Sequence, residues 1–162
     1  MAAESVMTAK GRSLIGGCFL DEIGGRDTVV RVHDILYTKL FAHPWLKAYF
    51  VNSTRSILQS QQDDFWTGLM GGPKRFGGRS PRDAHIHMYI PADAFAIRHE
   101  LLREAIDEAG VAPLFRDQWL ALDDGFARAV TSKSIEDVVP RFKTDDVIIP
   151  ARPPGFEEPK SG

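Results

Sequence analysis

The residues best suited to chemistry lie together, at His85 and His87 in the stretch Ala84-His85-Ile86-His87-Met88-Tyr89-Ile90. In an extended segment a His-x-His pair could chelate one metal, whereas on a helix the two rings diverge. No third ligand is near in sequence, and the single cysteine, Cys18, cannot build a thiolate cluster. Hydrolytic chemistry has weaker support, because no Gly-x-Ser-x-Gly elbow is present to carry a nucleophile. The carboxylate pairs Asp63-Asp64, Asp123-Asp124 and Asp145-Asp146 are adjacent, so their members point to different helix faces and read as solvated surface. Two other polar residues stand out for their apolar company. Tyr37 falls on an inner helix face, where its hydroxyl needs a partner. Gln62 falls on another, beside Gln61. Burying an amide without a partner costs roughly 1–3 kcal/mol, so either these glutamines reach water at the edge of the stripe or one donates into a pocket.

The elements that position these groups are helical. From Asp27, with Asp27 or Thr28 as cap, a helix runs to about Ala42, its inner face formed by Val29, His33, Leu36, Tyr37, Leu40 and Phe41. His33 reads as a packed histidine rather than a ligand. His43-Pro44 ends this helix, and Trp45, Leu46, Tyr49 and Phe50 form an aromatic corner. A second helix, capped by Ser53 or Thr54, reaches about Met70 with the stripe Leu58, Gln61, Gln62, Phe65, Trp66 and Leu69. The glycines and prolines of 71–81 make a loop. It is no phosphate cradle, because no Lys-Ser or Lys-Thr helix start follows. Pro81 can open a short helix carrying His85. A long helix starts at Pro91 or Asp93 and ends near Ala109, with Phe95, Leu102 and Ile106 on its stripe and Arg98 and His99 beside it. A last helix, about Pro113 to Ser132, should bury Leu114, Trp119, Leu122, Phe126 and Val130. Residues 1–19 read as a leader. Residues 133–162 read as an extended, partly disordered Pro-rich tail, with one extended segment at Val147-Ile148-Ile149. The core is all-α.

Composition narrows the function classes. The 162 residues carry a net charge of −2, with Lys and Arg scattered, which gives no basis for nucleic-acid binding. One cysteine cannot form an internal disulfide, so a reducing, cytoplasmic setting is expected. No apolar run is long enough to span a bilayer, and the acidic start Met1-Ala2-Ala3-Glu4 lacks the form of a signal peptide. A lone histidine on a short helix is often structural. It gains interest as the axial ligand of a haem, where the porphyrin supplies four ligands and the protein one.

The chain resembles the truncated, or two-on-two, haemoglobins over about residues 20–132. The resemblance rests on motifs in order: Ile23-Gly24-Gly25, Leu36-Tyr37, Ala42-His43-Pro44-x-Leu46-x-x-Tyr49-Phe50, Phe65-Trp66, Gly71-Gly72-Pro73-x-x-Phe76-x-Gly78, and Ala84-His85 with Ile90 and Phe95. The distal residues are closest to the group I type. The resemblance implies a globin-like two-on-two helical sandwich holding haem b (iron protoporphyrin IX). It makes His85, not His87, the proximal iron ligand, and Phe50 the ring on the haem face. Tyr37 and Gln62 become hydrogen-bond donors to a distal ligand, with Leu58 beside them. Phe65, Trp66, Phe76, Ile90 and Phe95 should line the pocket. Arg98 departs from the family, which has an apolar residue there. Its guanidinium either reaches solvent or a propionate, or stands as a cation near the distal ligand. The implied function is dioxygen binding or transport, with nitric oxide dioxygenase or peroxidase-like activity possible and any reductase on a separate protein. A haem-based gas or redox sensor acting through the tail is the alternative.

Overall fold

The computed structural model describes residues 18–160. Apart from Cys18 and Phe19, the leader expected at 1–19 lies outside them. The helices are α1 (Phe19–Glu22), α2 (Arg26–Ala42), α3 (Arg55–Leu69), α4 (Pro81–His85), α5 (Ala92–Glu108), α6 (Pro113–Asp124) and α7 (Ala127–Val130). Two 3-10 turns, Leu46–Phe50 and Ile135–Asp137, complete the set. Helix α2 packs on α3, α5 packs on α6, and α2 against α5 joins the pairs. This is the two-on-two sandwich. No helix among the described residues is long and apolar enough to cross a membrane.

The interior follows the periodicity. Val29, Val32, His33, Leu36, Tyr37 and Leu40 of α2 are buried against Leu102, Ala105 and Ile106 of α5 and Trp119 of α6. The boundaries differ from expectation in physically simple ways. Helix α2 is capped by Gly25 rather than by Asp27 or Thr28; Gly25 takes φ 80, a turn that a side chain would resist. Gly71, at φ 103 just beyond α3, brings the chain so close to α1 that a Cβ there would lie 2.7 Å from the Cys18 Cβ. The expected long last helix is broken at Gly125, with α7 continuing after it. Leu69 and Leu114, expected inside, are exposed, and Met70 is buried instead. A chain that turns at Gly71 leaves Met70, not Leu69, facing α1, where the Met70 carbonyl accepts from Leu20 N–H at 3.1 Å.

The tail was expected to be partly disordered from its composition. Its described residues make specific bonds. An isolated parallel bridge joins Ile148 to Met88. Arg152 pairs with Asp93 of α5 at 2.6 Å, and its guanidinium lies 4.6 Å from the Trp45 ring centroid. Phe156 packs on His43 and Trp45. Charge and aromatic partners far away in sequence hold the segment, and composition cannot reveal them.

Candidate functional site

His85 ends α4, a five-residue helix started by Pro81, with the Ser80 side chain accepting from the Asp83 amide. A helix this short has little stability of its own. His85 Nδ1 donates to the Pro81 carbonyl at 2.5 Å, which fixes the tautomer and leaves Nε2 free. Burial lowers the His85 pKa, and the Arg98 charge adds to this against the opposing Pro81 bond, so the ring is neutral at neutral pH, the form that ligates metals. His87 is buried among other groups, with an unpartnered Nδ1. Among the described residues, no three His, Cys, Asp or Glu side chains stand together as a metal cage. A metal at His85 would therefore take its other ligands from a prosthetic group.

Tyr37 comes from α2. Its ring meets Phe50 at 6.3 Å and His33 at 6.1 Å edge-on. Burial raises the hydroxyl pKa well above its usual value, and nearby Arg98 offsets this only in part. The hydroxyl therefore stays protonated and can donate. Phe50 stacks on Phe41 at 4.8 Å. From α3, Leu58, Gln62 and Phe65 are half-buried, while Gln61 is exposed. Of the two glutamines, Gln61 is thus the one that reaches water. Phe65 meets Phe76 at 5.2 Å and Phe126 at 5.6 Å. Trp66 sits deeper, against Trp119 and Phe126, and Ile90 is buried. Phe95 stacks on His99 and lines a cleft of about 340 Å³ between α5 and α7 that includes none of His85, Tyr37 or Gln62.

Arg98 has a partner that neither expectation named. Its Nη1 and Nη2 donate to both carboxylate oxygens of Asp123 at 2.9 and 2.8 Å, and His99 Nδ1 donates to the same carboxylate at 2.7 Å. Burial alone would raise the Asp123 carboxyl. The Arg98 charge and the bonds from His99 and Arg98 outweigh it and hold the pKa down to about 2. The guanidinium charge lowers the pKa of both Tyr37 and His85, in each case as a lesser effect than burial. The solvated reading of the carboxylate pairs is thus corrected. Asp123 is buried under Arg98 and His99. Asp63 is buried with its Oδ1 2.6 Å from His33 Nδ1, and Asp145 is covered by Arg141. Asp63 and Asp123 find an imidazole or cation on another helix and Asp145 finds Arg141 four residues back, which adjacency in sequence does not show. Asp123 falls four residues after the buried Trp119, the spacing that puts both on one inner face.

These residues fit a flat apolar group. Phe50, Leu58, Phe65, Phe76 and Phe126 are left half-buried, and His85 is a neutral imidazole with one free nitrogen. The bacterial-like globin family profile matches residues 18–132. The chain belongs to the bacterial-like globins. Its curated relatives place it with the group I truncated haemoglobins. The group 1 truncated hemoglobin of Tetrahymena thermophila is 30% identical over 92 residues, covering 57% of this chain and 76% of that protein. The truncated hemoglobin of Tetrahymena pyriformis, solved in an Fe(III) form, is 24% identical with a TM-score of 0.67, covering 72% of this chain and 99% of its own. The hemoglobin of the thermophilic phototroph Chloroflexus aurantiacus is 26% identical with a TM-score of 0.65, covering 72% and 98%. For this globin, family membership implies a haem cofactor and a small gaseous ligand such as dioxygen.

Proposed function

We propose that this globin holds haem b through His85 Nε2 and binds dioxygen on the opposite face, beside Tyr37 and Gln62. The observation carrying this reading is the bond from His85 Nδ1 to the Pro81 carbonyl, which aims a neutral ring and leaves Nε2 free. When bound, haem supplies an iron with one open position for a diatomic ligand. The chain's own residues do the rest. Phe50, Leu58 and Phe65 exclude water. Phe76 and Ile90 complete the apolar wall. Tyr37 offers a proton donor that burial keeps protonated, and Gln62 offers an amide. Arg98 stands at the wall with its charge paired to Asp123, so it orients without presenting a free cation. Trp66 and Phe95 support the helices behind the site.

Nitric oxide dioxygenation and peroxidase-type turnover are the activities to assay on this site. Nitric oxide dioxygenation leaves ferric iron that a separate reductase must reduce again, whereas peroxidase-type turnover takes its electrons from the reducing substrate. We place the globin domain at 20–132, with the tail from 133 as an addition, and a cytoplasmic setting. The second reading, a haem-based sensor, is favoured by one observation: the tail bonds directly to the segment that follows His85. The test is the visible spectrum of the protein reconstituted with haemin. His85→Ala should lose the low-energy axial signature and most haem affinity. An unchanged spectrum refutes the assignment.

A further inference from the structure

The segment after His85 is held by residues that lie outside the family match at 18–132. Three backbone bonds reach it from the tail. Val139 N–H donates to the Ile86 carbonyl at 3.0 Å, Ile148 N–H donates to the His87 carbonyl at 2.7 Å, and Tyr89 N–H donates back to the Ile148 carbonyl at 2.9 Å. Residues 86, 87 and 89 are thus bonded from two separate points of the tail. Ile148 turns its side chain inward, while Val147 and Ile149 remain exposed, as an extended segment with one buried face requires. Beyond this contact, Arg152 holds Asp93 through both carboxylate oxygens, at 2.6 and 3.0 Å, and covers Trp45. On the other side, the Tyr49 hydroxyl donates to the Tyr89 carbonyl at 2.5 Å.

We propose that residues 139–152 act as a strap that positions His85: the Ile148 backbone and the Arg152 anchor fix the peptide leaving α4 and so set how the imidazole meets the haem iron. This rests on His85 being the axial ligand. A five-residue helix cannot hold a ring by itself. One end of the ring is tied by Pro81 within α4, and the chain beyond it needs an external support. The strap supplies that support through main-chain bonds, so its effect depends on the Ile148 N–H more than on the Ile148 side chain. Groups supporting a metal-bound histidine from behind commonly change metal affinity by about 10–100-fold when lost.

The test uses the full chain, reconstituted with haemin, as Ile148→Pro, Ile148→Ala, Arg152→Ala and His85→Ala. Two quantities are read: the rate of haem loss to an excess of haem-free acceptor, and the iron–histidine stretching band of the ferrous protein by resonance Raman. Ile148→Pro removes the N–H and should shift the band and speed haem loss about tenfold. Ile148→Ala keeps the N–H and should keep the band. Arg152→Ala frees the far anchor and should move both readouts in the direction of Ile148→Pro by a smaller factor, which serves if the proline variant does not fold. If His85→Ala loses the band while Ile148→Pro and Arg152→Ala match the wild type in both readouts, the strap is refuted and the ligand assignment stands. If Ile148→Ala shifts the band as much as Ile148→Pro, side-chain packing is responsible and the main-chain strap is refuted. If His85→Ala leaves the band in place, the ligand assignment fails and the strap fails with it.

Discussion

The two sides of the proposed haem pocket are built by different means. On the proposed distal side, Tyr37, Gln62 and Arg98 ride on helices of 17, 15 and 17 residues that also build the core. Their positions follow from helix packing. On the proximal side, His85 ends a helix of 5 residues with no buried residue of its own. The segment 85–90 donates to Pro81, Ser132 and Ile148 and accepts from Ser132, Val139 and Ile148, the bonds proposed to set its place. Packing holds one face and a bonded frame holds the other. The distal face should therefore tolerate polar substitutions that change ligand chemistry alone, while the proximal face should not.

The largest test of that contrast compares His85→Ala with Tyr37→Phe. The first should abolish stoichiometric haem capture, read as the Soret band on haemin titration. The second should retain it. Comparable loss in both would mean that the distal helix carries the cofactor and would erase the distinction.

Next comes Asp123→Asn, which strikes the distal face where it is least replaceable. Asp123 accepts from Arg98 twice and from His99 once while only 2% exposed. Removing one member of a buried ion pair costs about 3–5 kcal/mol, and the partial exposure of Arg98 places this case near about 3. For a chain of this size that lowers Tm by about 6–12 °C. A drop under about 2 °C would show that Arg98 finds water easily and that the pair adds little.

How much of this was legible in the sequence follows the same division. The distal helices announce themselves through period: Val29, Leu36, Tyr37 and Leu40 fall on one stripe and are buried on one face. Gln62 drew attention because an amide on that stripe needs a reason. Trp45, Tyr49 and Phe50 were recognisable as an aromatic corner. What the sequence hid are bonds between residues far apart in the chain. Asp123 lies 25 positions from Arg98, and Arg152 lies 59 from Asp93. A carboxylate in an Asp-Asp pair looks solvated until its partner helix is known. The prolines and charges of the tail do not show that its Ile148 peptide bonds to His87. Leu69 and Leu114 failed for a smaller reason: each lies at a helix end, where the face is set by the turn rather than by the period.

Ligand kinetics sharpen the distal half. Tyr37→Phe and Gln62→Leu each remove one donor while leaving the helices intact. A net hydrogen bond of about 1–1.5 kcal/mol corresponds to roughly a tenfold faster dioxygen dissociation for each. Haem-loss rates should stay at the wild-type value in both. Unchanged dissociation in both variants would remove these residues from the ligand's surroundings.

Ser132→Ala probes the proximal frame at lower cost. The Ser132 hydroxyl donates to the Met88 carbonyl at 3.0 Å and accepts from Ile90 N–H at 3.3 Å, while its own amide still reaches the Ile90 carbonyl. Losing the hydroxyl leaves the backbone bond, so about 1 kcal/mol of stability should go. Haem loss should quicken while dioxygen dissociation, a distal property, changes less. The reverse pattern would place Ser132 on the wrong side of the contrast.

The smallest effect is a pH dependence, and its sign separates the two faces. Chiefly through its bond to Asp123, His99 has its pKa raised in the folded chain, against an opposing burial effect. Its contribution is therefore fully present below the unfolded value of about 6.5 and is lost as pH rises through the folded value. His85 and His87, on the proximal face, are lowered, first by burial. They act oppositely: their neutral forms fit the fold, and stability falls as pH drops through the unfolded value. Asp123, held at about 2, contributes above its unfolded value and stops contributing only as pH falls toward 2. The difference in unfolding free energy between wild type and His99→Gln, measured in urea from pH 5 to 9, isolates the first of these. It should be positive by up to about 1 kcal/mol at pH 5, as for a partly exposed ion pair, and should shrink toward zero at the alkaline end. A difference that grows with pH would mean that His99 is neutral beside Asp123 and that Arg98 alone holds the carboxylate.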